Sequence, residues 1–224
     1  MPAIKTVIRT HLVDYWLWLI VPLIVLMSSF VVNLIVSISI GSFTTGGLMS
    51  IYGFVMSVGI AVIPMNFSFS LSFGIRRKDY FLGTISLFLL FSLIDSIALT
   101  LLRELEQLTS GWGTGLHFFD IPFLSSLSFL HLALLNFVVI SHLFLFGFLL
   151  SSIARRYGKL VLTSLLLLAV ILLGTGSVLM TYWKYWGEFG RWVITYQTDI
   201  LWFLAPLTLL YAFLCYMWLR KSTI

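Results

Sequence analysis

Six apolar runs, each long enough to cross a lipid bilayer, fill the chain from residue 16 to residue 219 and leave one fold class open to it. A helical span needs about 20 mostly apolar residues to cross a hydrocarbon core of roughly 30 Å. The runs lie at Trp16 to Ile40, Leu48 to Phe73, Phe81 to Leu102, Phe123 to Ser151, Leu160 to Tyr182 and Ile200 to Leu219. Barrel strands would be half as long and would alternate in polarity, which these runs do not. The expectation is an all-α polytopic bundle of six transmembrane helices, one membrane domain over residues 1–224. Only 9% of residues are charged, against about 25% in a soluble domain, so no soluble domain of useful size fits beside the spans.

Basic residues near span ends are held on the cytoplasmic side of a membrane. With the N-terminus inside, Lys5, Arg9, Arg76, Arg77, Lys78, Arg155, Arg156, Lys159, Arg220 and Lys221 fall inside, and only Arg103, Lys184 and Arg191 outside. Both termini are therefore expected in the cytoplasm. The first apolar run is longer than the roughly 7–15 residues of a secretory signal core, and no small-x-small cleavage site follows it, so the N-terminus is expected to be retained.

Ahead of the first span, Ile4, Val7, Ile8, Leu12 and Tyr15 repeat at helical spacing, with Lys5, Thr6, Arg9 and Thr10 on the other side. That pattern predicts an amphipathic helix over residues 1–15 lying on the cytoplasmic membrane surface. On the outer side, Arg103 to Pro122 carries Gly111, Gly113 and Gly115 and reads as an irregular loop. Residues 182–199 interleave Trp183, Trp186 and Trp192 with Lys184, Glu188 and Arg191, the composition of a segment at outer headgroup level. Short interfacial or re-entrant helices are expected there, forming an outer interface or gate.

No phosphate loop, H-E-x-x-H zinc motif or G-x-S-x-G nucleophile elbow occurs in the chain. Cys215 stands alone, which excludes a disulfide framework or a CxxC pair. No catalytic or metal-ligating set is expected, and any nucleotide must be bound by a partner. Ionisable groups inside spans are costly enough to count as functional candidates; here they are Asp95, His131 and His142. At about 1.5 Å per residue, Asp95 and His131 lie roughly 10 Å and 8 Å from the outer ends of their spans, close enough in depth to meet. His131 and His142 fall on one helix face, about three turns apart. A relay along the third and fourth spans and a plain helix-packing pair both fit these positions. In the second span, Gly53, Ser57 and Ala61 permit close helix approach. Pro64 removes a backbone hydrogen bond and predicts a kink, and Asn66, Ser68, Ser70 and Ser72 make its inner end polar.

Directly after that polar end, Phe67-Ser68-Phe69-Ser70-Leu71-Ser72-Phe73-Gly74-Ile75-Arg76-Arg77-Lys78-Asp79-Tyr80-Phe81-Leu82-Gly83-Thr84 resembles the cytoplasmic end of the second span in ABC-transporter permeases of the type-two exporter family. The stretch Phe146-Gly147-Phe148-Leu149-Leu150-Ser151-Ser152-Ile153-Ala154-Arg155-Arg156-Tyr157-Gly158-Lys159 is similar to the tight fourth-to-fifth-span connection of the same permeases. The resemblance implies a multi-pass permease subunit of a bacterial plasma membrane that pairs with a second permease copy or paralogue. It also implies two separate ATPase subunits, which would bind ATP and Mg, with no cofactor in this chain and no nucleic-acid partner. The coupling element would be Gly74, Ile75, Arg76, Arg77, Lys78, Asp79 and Tyr80, within a coupling segment over residues 74–84. The cargo would be a peptide, antibiotic or lipid moved outward, since no soluble extension for lipid-linked sugars is present. Two other functions compete: the substrate-binding membrane subunit of a vitamin-uptake system, and a membrane enzyme using Asp95, His131 and His142.

Overall fold

The computed structural model of the chain describes residues 2–13, 16–120, 124, 125 and 127–222. Over these residues it is helical almost throughout. In chain order come α1 (Pro2–Val13), a π turn at Trp16–Ile20 leading into α2 (Val21–Ile40), and α3 (Met49–Val62). A second π turn at Ile63–Phe67 joins α3 to α4 (Ser68–Ser72), followed by α5 (Arg77–Leu108), α6 (Phe129–Tyr157), α7 (Lys159–Tyr182) and α8 (Trp186–Arg220). Two short strands, β1 (Phe43–Thr44) and β2 (Leu116–His117), pair in parallel with Phe43 opposite Leu116. They tie the α2–α3 connection to the segment after α5.

Six stretches are long and apolar enough to cross a membrane: Trp16–Ile40, Met49–Ser72, Arg77–Leu108, Phe129–Tyr157, Lys159–Tyr182 and Trp202–Arg220. Each expected run has its helix, and the differences lie at the ends. The third helix was expected to stop at Leu102 and instead runs to Leu108, because Arg103 and Glu106 are buried and bonded there, so hydropathy falls before the helix does. The fourth begins at Phe129, and Phe123, its expected start, lies outside the described residues, as does Tyr15 of the N-terminal pattern. It continues to Tyr157, which turns Arg155 and Arg156 from loop residues into its last turn. Gly158 alone separates α6 from α7, at φ 91°, a backbone conformation open to glycine. The segment expected to form separate short helices before the last span is one helix with it, Trp186–Arg220, broken by non-helical geometry at Tyr196.

α6 is the most buried span and packs against α3, α5 and α8. Its closest approach is to α3: a Cβ on Gly59 would overlap the carbonyl oxygen of Phe144, and one on Gly147 would overlap that of Met56. The stripe expected to make this approach, Gly53, Ser57 and Ala61, lies on another face; Gly53 looks into open space. Valines 55, 58 and 62 carry the buried face instead, so Gly59 is the small residue that counts. Phe88 of α5 stacks on Phe144 with ring centroids 3.5 Å apart. α7 buries none of its residues within the chain. α1 packs against the start of α5, where Val7 is fully buried and would meet a Cβ on Gly83 at 2.8 Å.

The antiparallel course gives the bundle two chemically distinct ends. Arg76, Arg77, Lys78, Arg155, Arg156, Lys159 and Arg220 gather at the one where α1 sits, the basic end. The strand pair and the glycine-rich segment lie at the far end.

Candidate functional site

The basic end is organised around the connection from α4 to α5. Ser72 is the last residue of α4, and Gly74 follows at φ 75° with its N–H donating to the Leu71 carbonyl (3.0 Å) while Ile75 N–H donates to the Ser70 carbonyl (3.3 Å). This is a Schellman termination with glycine in the left-handed position and a buried hydrophobic residue after it. Gly74 and Ile75 therefore have a local folding reason to be where they are. Of the expected coupling residues, only Gly74, Ile75 and Arg76 form a loop; Arg77, Lys78, Asp79 and Tyr80 are the first turn of α5. Buried Asp79 complements that N-terminus electrostatically and receives Arg76 Nε at 2.7 Å. Arg77 Nη1 donates to the Arg220 carbonyl at 3.1 Å, closing the ring of elements against the end of α8. Lys78 is exposed and has no partner among the described residues. A cleft of about 540 Å³ opens here, with Arg76, Arg77, Lys78 and Arg220 on its walls.

Tyr80 points the other way, into the bundle. It is fully buried, its hydroxyl donates to the carbonyl of Val62 at 3.1 Å, and its ring meets Phe67 edge-on at 5.1 Å. Val62 and Phe67 bracket the π turn that contains Pro64. Proline has no N–H to give, and the helix absorbs the loss by widening one turn rather than breaking. Tyr80 thus supplies a donor to the stretch of backbone that proline disturbs. On its other side lies His11 of α1, buried, with Nε2 3.0 Å from Thr84 Oγ1 and Nδ1 accepting from Asn66 Nδ2 at 3.2 Å. Burial pushes the imidazole from its ordinary 6.5 down to about 4, so it is neutral near pH 7. Arg155 completes the cluster from α6, its guanidinium 5.5 Å above the Phe67 ring. Arg156 lies over Tyr157 at 5.1 Å, and Nε of both arginines is buried without a hydrogen bond among the described residues. Lys159, by contrast, is exposed at the start of α7. In this way α1, the π turn, α5 and α6 share one packed junction.

The three intramembrane ionisable residues are not brought together. Asp95 lines a small cavity of about 20 Å³ with Trp18, Phe54, Val58 and Phe91, and the buried Trp18 Nε1–H has no partner among the described residues. That volume admits one water. His131 is exposed and pairs with Ser128 Oγ at 2.7 Å on its own chain segment. His142 faces α8, with Nδ1 3.1 Å from Thr208 Oγ1. The expected equal depth does not hold: Asn136 of α6 bonds Thr100 of α5, so along these antiparallel helices His131 lies further toward the far end than Asp95, which faces Trp18 and α3.

At the far end stands a network that the sequence alone did not reveal. Glu106 is buried, and its carboxylate accepts the backbone N–H groups of Phe118, Phe119 and Asp120 at 2.9–3.1 Å and the Trp112 indole N–H at 2.9 Å. Arg103, expected to be an outward-facing loop charge, is buried and reaches Glu104 (2.6 Å), Asp120 (3.2 Å) and the Ser125 carbonyl. Ser110 and Trp112 hold left-handed backbone geometry so that the chain can curl back over the end of α5. The run of alternate glycines was the available signal: it marks a tight turn, and a tight turn presents successive N–H groups to one acceptor. The three tryptophans of the expected outer segment do not converge. Trp183 lies in the α7–α8 turn, Trp186 donates to Thr181 Oγ1 (2.9 Å), and Trp192 stands further along α8.

These features define a multi-pass helical membrane protein with a packed junction at one end and a carboxylate-pinned cap at the other. Comparison with protein-family models, curated proteins and solved structures gives no match.

Proposed function

We propose that the chain is the membrane-spanning permease subunit of an ATP-binding-cassette transporter, moving a peptide, antibiotic or lipid outward under the drive of separate ATPase subunits that bind ATP and Mg. It acts in the cell membrane, as a dimer with a second copy or a paralogue. Both termini and the basic end face the cytoplasm, and α1 rests at the cytoplasmic membrane surface with Leu12 and Val13 turned outward. The observation that carries this reading is the Tyr80–Val62 hydrogen bond. It links a basic, solvent-facing segment of the kind an ATPase groove would receive to the weakest turn of a membrane span, where proline has already removed one backbone bond. Force applied to Arg76–Lys78 would reach the π turn through Tyr80 without an intervening flexible loop. The dispersal of Asp95, His131 and His142 weighs against the enzyme alternative, since a relay needs groups within hydrogen-bond reach.

The test is charge reversal on the segment. Arg76 and Arg77 have partners within the chain, so Lys78→Glu is the clean variant and Arg76→Glu with Arg77→Glu the strong one. Both are expected to lower copurification of the ATPase and transport while leaving the elution volume of the chain unchanged. Transport and assembly that survive the double reversal would remove the proposal.

A further inference from the structure

A further cavity lies away from the junction, along α8 and across its break at Tyr196. Trp192, Tyr196, Asp199, Trp202, Phe203 and Pro206 line an open groove of about 970 Å³. Residues 192, 196, 199, 203 and 206 recur at intervals of four and three, so they form a single stripe along the helix. Tyr196, at φ −109° and ψ 18°, interrupts the helix within the stripe, and Trp192 and Tyr196 stand 6.1 Å apart, ring to ring. Four aromatic rings present π faces or edges to the groove, and one carboxylate, Asp199, lies among them. Asp199 makes no ion pair or hydrogen bond among the described residues, and no lysine or arginine lines the cavity. Pro206 has no N–H to offer the Trp202 carbonyl, so a second oxygen on the same face lacks its intrahelical donor. An adjoining cleft shares Trp192 and adds a second carboxylate, Glu188.

A row of aromatic rings at a membrane interface can be a belt that anchors helices among headgroups, and a belt is indifferent to ligand charge. This groove is not indifferent. Its one charged group is a carboxylate, and aromatic faces attract cations through their quadrupole. We propose that the α8 groove is a binding site for a cationic amphiphile, an alkyl or peptide tail bearing an ammonium or guanidinium head, with Asp199 and the rings of Trp202 and Tyr196 receiving the head and Phe203 and Pro206 the tail. That such a molecule is the transported cargo rests on the permease reading; the binding itself does not.

The test uses the full chain in dodecyl maltoside and three probes with one tail: hexyltrimethylammonium, hexanol and hexanesulfonate, measured by equilibrium dialysis against empty micelles. The ammonium probe should bind saturably and at least roughly tenfold more tightly than the other two. Asp199→Asn should erase that preference and Asp199→Glu should keep it. Asp199 is exposed, so neither variant is expected to disturb folding, and should Asp199→Asn elute abnormally, Trp202→Leu decides by weakening the ammonium probe several-fold. Equal binding of the three probes by the unmodified chain, or full preference retained in Asp199→Asn or in Trp202→Leu, overturns the proposal. No ATPase is present in the dialysis, so its failure leaves the permease reading standing, and a chain that purifies without an ATPase leaves the groove standing.

Discussion

Replacing Tyr80 with Phe removes one oxygen from a side chain with no exposed surface and keeps the ring that packs edge-on against Phe67. What is lost is the hydroxyl's bond to the Val62 carbonyl. A net hydrogen bond is worth about 1 kcal/mol. Interhelical bonds inside membranes average nearer 0.6 kcal/mol, so about 1 kcal/mol is the expected destabilisation. The structure makes a sharper prediction through Pro64. Restoring an N–H with Pro64→Ala gives the Ile60 carbonyl, four residues back, its donor and lets the π turn narrow to the ordinary ladder, which turns the Val62 carbonyl toward the Asn66 N–H and away from Tyr80. In that background Tyr80→Phe should cost close to nothing, giving a coupling of about 1 kcal/mol between two residues that do not share a covalent neighbour. Unfolding in mixed micelles, followed by far-UV circular dichroism across the four proteins of the cycle, measures it. Additive losses, with Tyr80→Phe costing the same in both backgrounds, would refute the claim that Tyr80 serves the proline-disturbed turn.

Three further expectations follow from other parts of the fold. His11 is neutral when docked, with its pKa depressed from 6.5 to about 4; its contribution is complete above pH 6.5 and is lost as pH falls from there toward 4, because the undocked imidazole takes a proton that the docked one refuses. Thermal unfolding should therefore show a decline over that window that is shallower in His11→Gln. Gly147→Ala places a methyl against the Met56 backbone and should destabilise by about 1–3 kcal/mol, whereas Gly53→Ala faces open space and should be neutral or stabilising by up to about 1 kcal/mol; denaturant titration of the two variants compares them. Glu106→Gln turns an amide N–H₂ toward a ring of N–H donors and should cost about 2–3 kcal/mol, read as faster proteolysis between residues 109 and 120.

The spans were legible because a run of apolar residues long enough to cross a bilayer has few other uses. Even the π turn was signalled, by Pro64, although proline announces a disturbance without saying whether the helix will bend, break or widen. The helix ends were less legible, because the sequence marks them by hydropathy and the structure by hydrogen bonding. Arg103 and Glu106 end the apolar run but not the helix, since their charges are satisfied by the segment that folds back over them. His11 is a comparable case. It stands four residues after Val7 on the docked face of α1, and periodicity would have placed it there had its polarity not argued otherwise. Depth arithmetic depends on where a span is taken to start: α6 begins at Phe129 rather than Phe123, and with Asn136 level with Thr100 His131 lies further out than Asp95. Gly74 and Ile75 carry the opposite lesson: residues that resemble a coupling motif also terminate α4, so part of that resemblance reports local folding.

The central claim is that the basic end receives an ATPase. The chain's single cysteine, Cys215, is buried, so a Cys215→Ser background carrying Lys78→Cys offers one reactive thiol at the tip of the proposed coupling segment, and Gly113→Cys offers one at the far end. Thiol cross-linking in membranes, followed by purification of the chain, is the direct measurement. The account predicts an ATP-binding protein cross-linked through residue 78 and none through residue 113. Labelling at 113 instead, or an accessible residue 78 that captures no ATP-binding protein, would contradict it.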